Sequence, residues 1–403
     1  MNHKTTTKLS ASIYLVIATL AMSCNNKENI TYTPENTIEL QEPTDCNSSF
    51  FSKIDSVTVL DLQVNDEWMY MEYPMMCFTD NYMYFLNTEK LWLGIYDKKT
   101  NSIKYSNIIL GRGRNECLNV TNLFSVDDSI CLFDCATGSA KLYSPEGSYL
   151  RKLNGADVFA SELYKIHDGY IGISEFGFGD DNRQYITLFD DTFSSKGRFF
   201  EIPELYFDWN IQAGHTIPRY VYNDTLRFVF PFSHCIYSFS TDGIRLSYDF
   251  HSSNPIPVNL LKRRDDANYF FNELSSKGYE QMYEELMETD KYLTFKYCVN
   301  NNHYRILLEK RNNQTHFLSS NYDSDHLDAD GFWSMLLGRS CFLYSDNKYI
   351  YASLGADFCD IINDFMKEMP NKQIEELVNC LVAYKGKYSL DYDQAIFIKI
   401  KFK

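Results

Sequence analysis

Positive charge is the first thing this chain has little of. Against 54 acidic residues it carries 38 lysines and arginines, a net charge of −16, and a surface of that sign repels nucleic acid and anionic lipid alike. Histidine is scarce, at eight in 403 residues, and His215 and His234 lack the short spacings expected of zinc ligands. No C-x-x-C pair occurs among the 11 cysteines. A G-x-S-x-G elbow, an H-E-x-x-H helix and a phosphate-binding loop are also missing, which removes the reactions those motifs announce. Nothing here implies a cofactor or a metal. A catalyst assembled from distant segments stays open, because spacing does not reveal one.

The amino terminus is the part with an address. Lys4 and Lys8 precede an apolar run from Ile13 to Met22 that stops at Ser23 and Cys24. A basic segment, a short apolar segment and small residues before a cut make a secretory signal, and the run is too short for a span of about 20 residues. Leu20-Ala21-Met22-Ser23-Cys24 resembles a bacterial lipobox, with the leucine one place further from the cysteine than usual. Lipid on Cys24 would anchor the protein to a membrane without spanning it. Residues 1–23 are therefore expected to be a signal peptide and 24–45 a flexible tether, since Asn25 to Pro43 shows no apolar periodicity. Removing Lys4 and Lys8 takes the charge from −16 to −18.

Residues 46–403 must then supply the fold. Tyrosine (31) and phenylalanine (29) are plentiful and favour strands. Ile130 to Asp134, Ala140 to Tyr143 and Tyr149 to Leu153 read as three strands with the turn Ser144-Pro145-Glu146-Gly147 before the last. Similar segments recur around Tyr96, Phe189 and Phe239, so Tyr96, Tyr143, Phe189 and Phe239 stand 47, 46 and 50 residues apart. A fifth copy, Tyr304 to Lys310, arrives 69 residues after Phe239, and a sixth, Ala395 to Lys401, ends the chain. Helical insertions are expected where the intervals lengthen, at Tyr279 to Met287 and around Ile374, Leu377, Val378, Leu381 and Val382. Four-stranded units at this period mark a β-propeller, because one small sheet cannot bury both faces until its neighbours stack. The expected fold is all-β, a six-bladed propeller of antiparallel four-stranded blades. The strand Val57 to Leu62 should complete the last blade and fasten the tether at the ring's seam.

Ile109-Leu110-Gly111-Arg112-Gly113-Arg114-Asn115-Glu116, followed by Phe124 to Asp128 and Ile130 to Asp134, resembles the G-x-G-P-G-E segment and following strand of the six-bladed β-propeller lipoproteins of Bacteroidota, a TolB-like or NHL-like group. Arg114 and Asn115 stand where that family has proline and its next glycine. The resemblance implies architecture and envelope location, and little chemistry.

Candidate ligand residues follow. Arg112 and Arg114, set between glycines in an acidic chain, can aim guanidinium groups at a carboxylate or phosphate, or pair with blade-edge acids. Glu116 is expected to serve nearby backbone amides. Trp209, with Tyr206 and Phe207, can stack on a sugar ring or pack between blades, and His215 lies close by. The acidic run Asp323 to Gly331 fails the EF-hand pattern, since Gly331 at position six puts His326 first and Leu337 at the bidentate position. Gly177 to Asp181 reads as a loop. Cys131 and Cys135 fall on one side of a strand about 13 Å apart, too far to bridge, and scattered buried thiols are the expectation.

The function expected from these features is a ligand-binding or interaction scaffold of the cell envelope, lipid-anchored at the outer membrane. Its partner would be a glycan, a peptide or an envelope protein. The alternative is a carbohydrate-active lyase or hydrolase using the axial face. The anchor has a direct check: Cys24→Ala should move the protein from the membrane to the soluble fraction, and unchanged membrane retention would refute lipidation.

Overall fold

The computed structural model describes residues 32–40, 47–62, 74–88, 90–153, 160–174, 184–202, 205–206, 219–263, 265–319, 329–365, 372–390 and 394–403. Cys24 therefore lies outside the described residues, as do Trp209, His215, residues 177–181 and most of the acidic run, 323–328.

Six antiparallel sheets follow one another along the chain. Blade one spans 75–107, blade two 120–152, blade three 162–201, blade four 219–251 and blade five 281–319. Blade six combines Cys341–Ser345, Tyr349–Gly355 and Ala395–Phe402 with the early strand Ile54–Val59. The first strand of each blade touches the first strands of both neighbours, so these six strands surround the axis and the ring is closed. The six repeats legible in the sequence are the third strands of the six blades. Because neighbouring strands run in opposite directions, the turn from second to third strand and the connection leaving the fourth lie on one face of the ring. The other turns lie on the opposite face.

There is no single central core. Side chains alternate along a strand, and here each alternate set fills a different gap between blades. In Tyr82–Asn87, Tyr84 and Leu86 pack with Ile130 and Leu132 of blade two, whereas Met83 and Phe85 pack with Tyr351 and Phe397 of blade six. Ile130 and Leu132 face blade one, and Cys131 and Phe133 face Leu163 and Tyr170 of blade three. Burial on both faces is why these strands read as continuous apolar runs instead of alternating ones. Between blades three and four the filling is aromatic: Tyr185, Phe200, Phe228, Phe230 and Tyr237 have ring centroids 5.2–5.8 Å apart. All nine described cysteines are free thiols, as expected of scattered buried sulfur.

Ile54–Val59 pairs antiparallel with the last strand, Val57 opposite Ile400, so closure occurs where the sequence suggests. The preceding segment departs from expectation. Pro34–Glu39, within the supposed tether, is a strand added parallel to the outer edge of blade four. It stays there because Ile38 and Leu40 are buried beside Phe250 and Phe295, and the Leu40 amide donates to the His251 carbonyl at 2.6 Å. The short helix Asn47–Phe51 then crosses blade five. Phe50 is buried beside Leu318, Phe332 and Trp333, the Ser49 hydroxyl bonds His316 Nδ1 at 2.6 Å, and Lys53 pairs with Glu309 at 3.1 Å. The amino-terminal segment is thus a strap over blades four, five and six, and the propeller's first attachment is blade four, away from the seam.

One expected helix is also corrected. Residues 281–288 are the first strand of blade five, and the helix lies just before them at Ala267–Lys277. Asp266 caps its start by accepting the Tyr269 amide, and Gly278 ends it at φ 62°. A Cβ at Gly278 would lie 2.7 Å from Asn300 Cα, so glycine is needed there. The strand imitates a helix in sequence because both of its faces are buried: Met282 and Leu286 lie in one core and Met287 packs against the other, which leaves apolar residues four and five positions apart. Its register also shifts twice, between Met282 and Glu284 and again before Met287. The later insertion is helical as expected: Lys372–Tyr388 buries Ile374, Leu377, Val378 and Leu381.

If the strap closes the ring, deleting residues 24–62 should abolish the single cooperative thermal transition followed by circular dichroism. Deleting only 24–31 should leave that transition in place.

Candidate functional site

The glycine-rich segment lies between blades one and two on the face that carries the connections leaving the fourth strands. Ile109–Leu110 and Glu116–Cys117 pair parallel and pinch 111–115 into a loop. The Glu116 carboxylate turns back into it and accepts the Gly113 amide at 2.7 Å, while the Gly111 amide donates to the Cys117 carbonyl at 3.0 Å. A Cβ on Gly111 or Gly113 would stand 2.1 or 2.7 Å from Glu116 side-chain atoms. The G-x-G and the glutamate are therefore one device, and Glu116 serves backbone amides as expected. The turn closes with Arg114 and Asn115 in place of the family's residues.

Blade two holds this loop from beneath. Asp134, fully buried, accepts the amides of Leu118 and Asn119 at 3.1 and 3.0 Å and the Thr137 hydroxyl at 2.8 Å. Lys141, also buried, donates to the Glu116 carbonyl and lies 3.9 Å from Asp134. The result is a cavity of about 450 Å³ lined by Arg112, Arg114, Lys141, Arg151, Lys152 and Tyr149 together with Thr137 and Ser139. Arg112, Arg114, Arg151 and Lys152 are exposed. The Arg114 guanidinium sits 5.8 Å from the centre of the Tyr149 ring, an arrangement that holds it in place. Arg112 and Arg151 form no ion pair among the described residues. Sequence reasoning found the two loop arginines. Lys141, Arg151 and Lys152 it passed over, because they come beside the loop through strand pairing, Lys141 opposite Lys152.

Of the aromatic group considered for sugar stacking, Tyr206 is stacked on Phe230 at 5.8 Å with the rings 6° from parallel, a packing role. Burial pushes its hydroxyl pKa up to about 12. On the same face of the ring, His234 and Cys235 of blade four meet Asp249 and His251, residues that spacing alone keeps apart.

A second cavity, about 420 Å³, opens on the opposite face between blades three and four and includes Glu35, Asp168, Asp224 and Arg227. Its Arg227 is already committed, its Nε donating to Glu288 at 3.0 Å. Glu288 also accepts Lys310 at 2.7 Å and the Tyr220 hydroxyl at 2.8 Å, and its amide donates to Ser345 of blade six. One residue thereby ties three blades near the axis, its carboxylate joining four and five and its amide reaching six. Burial alone would raise its pKa, but Arg227 and Lys310 together outweigh burial and hold it below the ordinary glutamate value. Glu285, with Arg305 at 2.8 Å and the Phe342 amide at 2.9 Å, repeats the device one turn away.

Residues 25–352 match DUF5128, a family of 6-bladed β-propellers. The chain belongs to that family. Among solved structures, a Bacteroides fragilis protein described as exported is 16% identical and superposes with a TM-score of 0.70 over 91% of this chain and 100% of its own. A DUF4221 member from Bacteroides vulgatus, 13% identical, gives 0.48 over 86% and 96%. Virginiamycin B lyase from Staphylococcus aureus with quinupristin, 11% identical, gives 0.39 over 86% and 99%. Such identities speak to the DUF5128 fold alone, and the two lower scores carry no argument about activity. No curated protein matches the chain.

The Glu288 knot yields a stability prediction. Glu288→Ala strands two cations and should destabilise the protein by about 3–5 kcal/mol in urea unfolding. A depressed folded pKa adds stability that is fully present above the unfolded value, about 4.3, and is lost as pH falls through the folded one. Glu288→Gln should therefore flatten the acid limb of the wild-type stability profile.

Proposed function

We propose that this member of the DUF5128 family is an exported, lipid-anchored binding module of the cell envelope whose cavity at the junction of blades one and two receives an anionic ligand. The observation that carries the reading is the exposed arginines Arg112, Arg114 and Arg151 around one cavity of about 450 Å³ in a chain of net charge −16. Lys141 at the base of the cavity is already held by Asp134 and the Glu116 carbonyl, whereas Arg112 and Arg151, with no ion pair among the described residues, are open to an anion. Planar guanidinium forks suit carboxylate or phosphate oxygens, so the ligand class is an acidic glycan or an acidic peptide. The signal segment ending at Cys24 and the exported relative in Bacteroides fragilis support an extracytoplasmic setting, with the outer membrane as the proposed site of anchoring. No nucleic acid is expected as a partner, because the body as a whole is acidic.

Calorimetric titration of the chain lacking residues 1–24 against uronate-bearing, phosphate-bearing and neutral oligosaccharides, with product analysis, tests this. Saturable binding of the anionic fragments alone, weakening with added salt and reduced about tenfold or more by Arg112→Ala with Arg114→Ala, is the expected result. Equal binding of neutral fragments, or indifference to the double substitution, would remove the anion reading. Product formation would favour the lyase or hydrolase alternative instead.

A further inference from the structure

Blade four carries a cluster that lies outside the cavity just described and is independent of it. Cys235 opens the third strand, Cys235–Ser240, directly opposite Asp249 on the fourth, Gly243–His251. His234 precedes Cys235 in the turn, and its Nε2 lies 3.2 Å from Asp249 Oδ1. The Cys235 sulfur is 3.5 Å from the same oxygen. His234 Nε2 or Nδ1, the Cys235 sulfur and an Asp249 oxygen all fall within 4.8 Å of one another. Two residues beyond Asp249, on the same side of the strand, His251 Nε2 sits 3.0 Å from Asp249 Oδ2. The strap contributes as well: Glu39 is the register partner of His251, and its Oε1 is 3.6 Å from His251 Nδ1.

These separations are those of a coordination shell. Zinc bonds of about 2.0–2.1 Å to nitrogen and oxygen and about 2.3 Å to sulfur, arranged tetrahedrally, place nitrogen about 3.3 Å and sulfur about 3.5 Å from a ligating oxygen. Imidazole and thiolate also select zinc-like ions over magnesium or calcium. His251, with a carboxylate oxygen facing each ring nitrogen, is suited to donate to Asp249 and orient it, as outer partners of metal ligands do. His234 is exposed over 40% of its side chain, which gives an ion a way in and leaves a fourth position toward solvent.

We infer that His234, Cys235 and Asp249 form a binding site for a borderline-soft divalent cation of the zinc class, with His251 and Glu39 as positioning residues and one coordination position open to water or to a ligand donor. Spacing concealed it because its ligands come from two strands joined by a hairpin, 14 residues apart.

Cobalt(II) is the probe, added to the reduced, metal-free chain lacking residues 1–24. One equivalent should bind with tetrahedral visible bands and thiolate-to-cobalt charge-transfer absorption, and zinc should displace it while raising the thermal midpoint. Cys235→Ser should abolish the charge-transfer band. His234→Gln and Asp249→Asn should weaken binding at least a hundredfold, and His251→Gln about tenfold. Cys380→Ser, altering an exposed thiol elsewhere, should change nothing. Absence of saturable cobalt or zinc binding by the wild-type chain would overturn the site, as would a charge-transfer band that survives Cys235→Ser. Should Cys235→Ser fail to fold, the exposed His234→Gln decides: unchanged affinity sinks the assignment.

Discussion

The pairing of Ile54–Val59 with Ala395–Phe402 is the constraint on which the molecule depends. Each blade buries apolar side chains on both faces, so no blade has a stable form without a neighbour on each side, and a linear stack of six would leave two faces bare. Met83 and Phe85 of blade one are covered by Tyr351, Ala395 and Phe397 of blade six together with Leu62. That cover holds if blade six is fixed against drift, which its outermost strand, drawn from the other end of the chain, achieves. The strap extends the same logic. By running over blades four and five before reaching blade six, it adds a main-chain link across three blades that otherwise meet through side-chain packing and a few bonds such as the Asp290 amide to the Asn347 carbonyl.

Polar knots reinforce the half of the ring that the strap covers. Glu288 joins blades four, five and six, Glu285 of blade five pairs with Arg305 and accepts the Phe342 amide of blade six, and Arg219 of blade four donates to Glu162 and to the Tyr185 hydroxyl of blade three. Buried ion pairs are poor sources of net stability, since desolvation cancels much of the attraction. Their effect is directional: a carboxylate with three fixed donors accepts one register between neighbouring inner strands, whereas apolar surfaces slide. The gaps between blades one and two and between two and three are filled by residues such as Leu132 and Phe133 and crossed by neutral bonds, the Tyr84 hydroxyl donating to the Asp128 carbonyl and Asn122 Oδ1 accepting the Leu163 amide, each at 2.9 Å. The ion-paired links named above lie among blades three to six.

What could be read from sequence followed the physics of each element. Third strands repeat visibly because they sit mid-sheet, buried on both faces, and tolerate little but apolar residues. Closure was legible because the last blade lacks a strand and an early strand lacks a hairpin. Residues 281–288 misled because a strand buried on both faces, with Met282 and Leu286 on one and Met287 on the other, shows the apolar spacing of a helix, and Pro34–Glu39 escaped notice because Ile38 is the buried residue of that parallel edge strand, with Leu40 just after it. Arg112 and Arg114 were visible as a local motif. Lys141 and Lys152 joined them through strand pairing, and His234 met Asp249 through a hairpin register, neither of which a linear spacing encodes.

The strap also orients the ring. Pro34–Glu39 runs parallel to Gly243–His251, so it enters at the end of blade four where Glu35 and Gly243 line the second cavity, and it leaves beside His251. Pro34 therefore lies toward the face opposite the Arg112 cavity and the His234 cluster. Glu39, at the other end of the same strand, faces His251. One short edge strand, held in register by Ile38, Leu40 and the Leu40 amide, thus reaches from Glu35 at the second cavity to Glu39 beside His251.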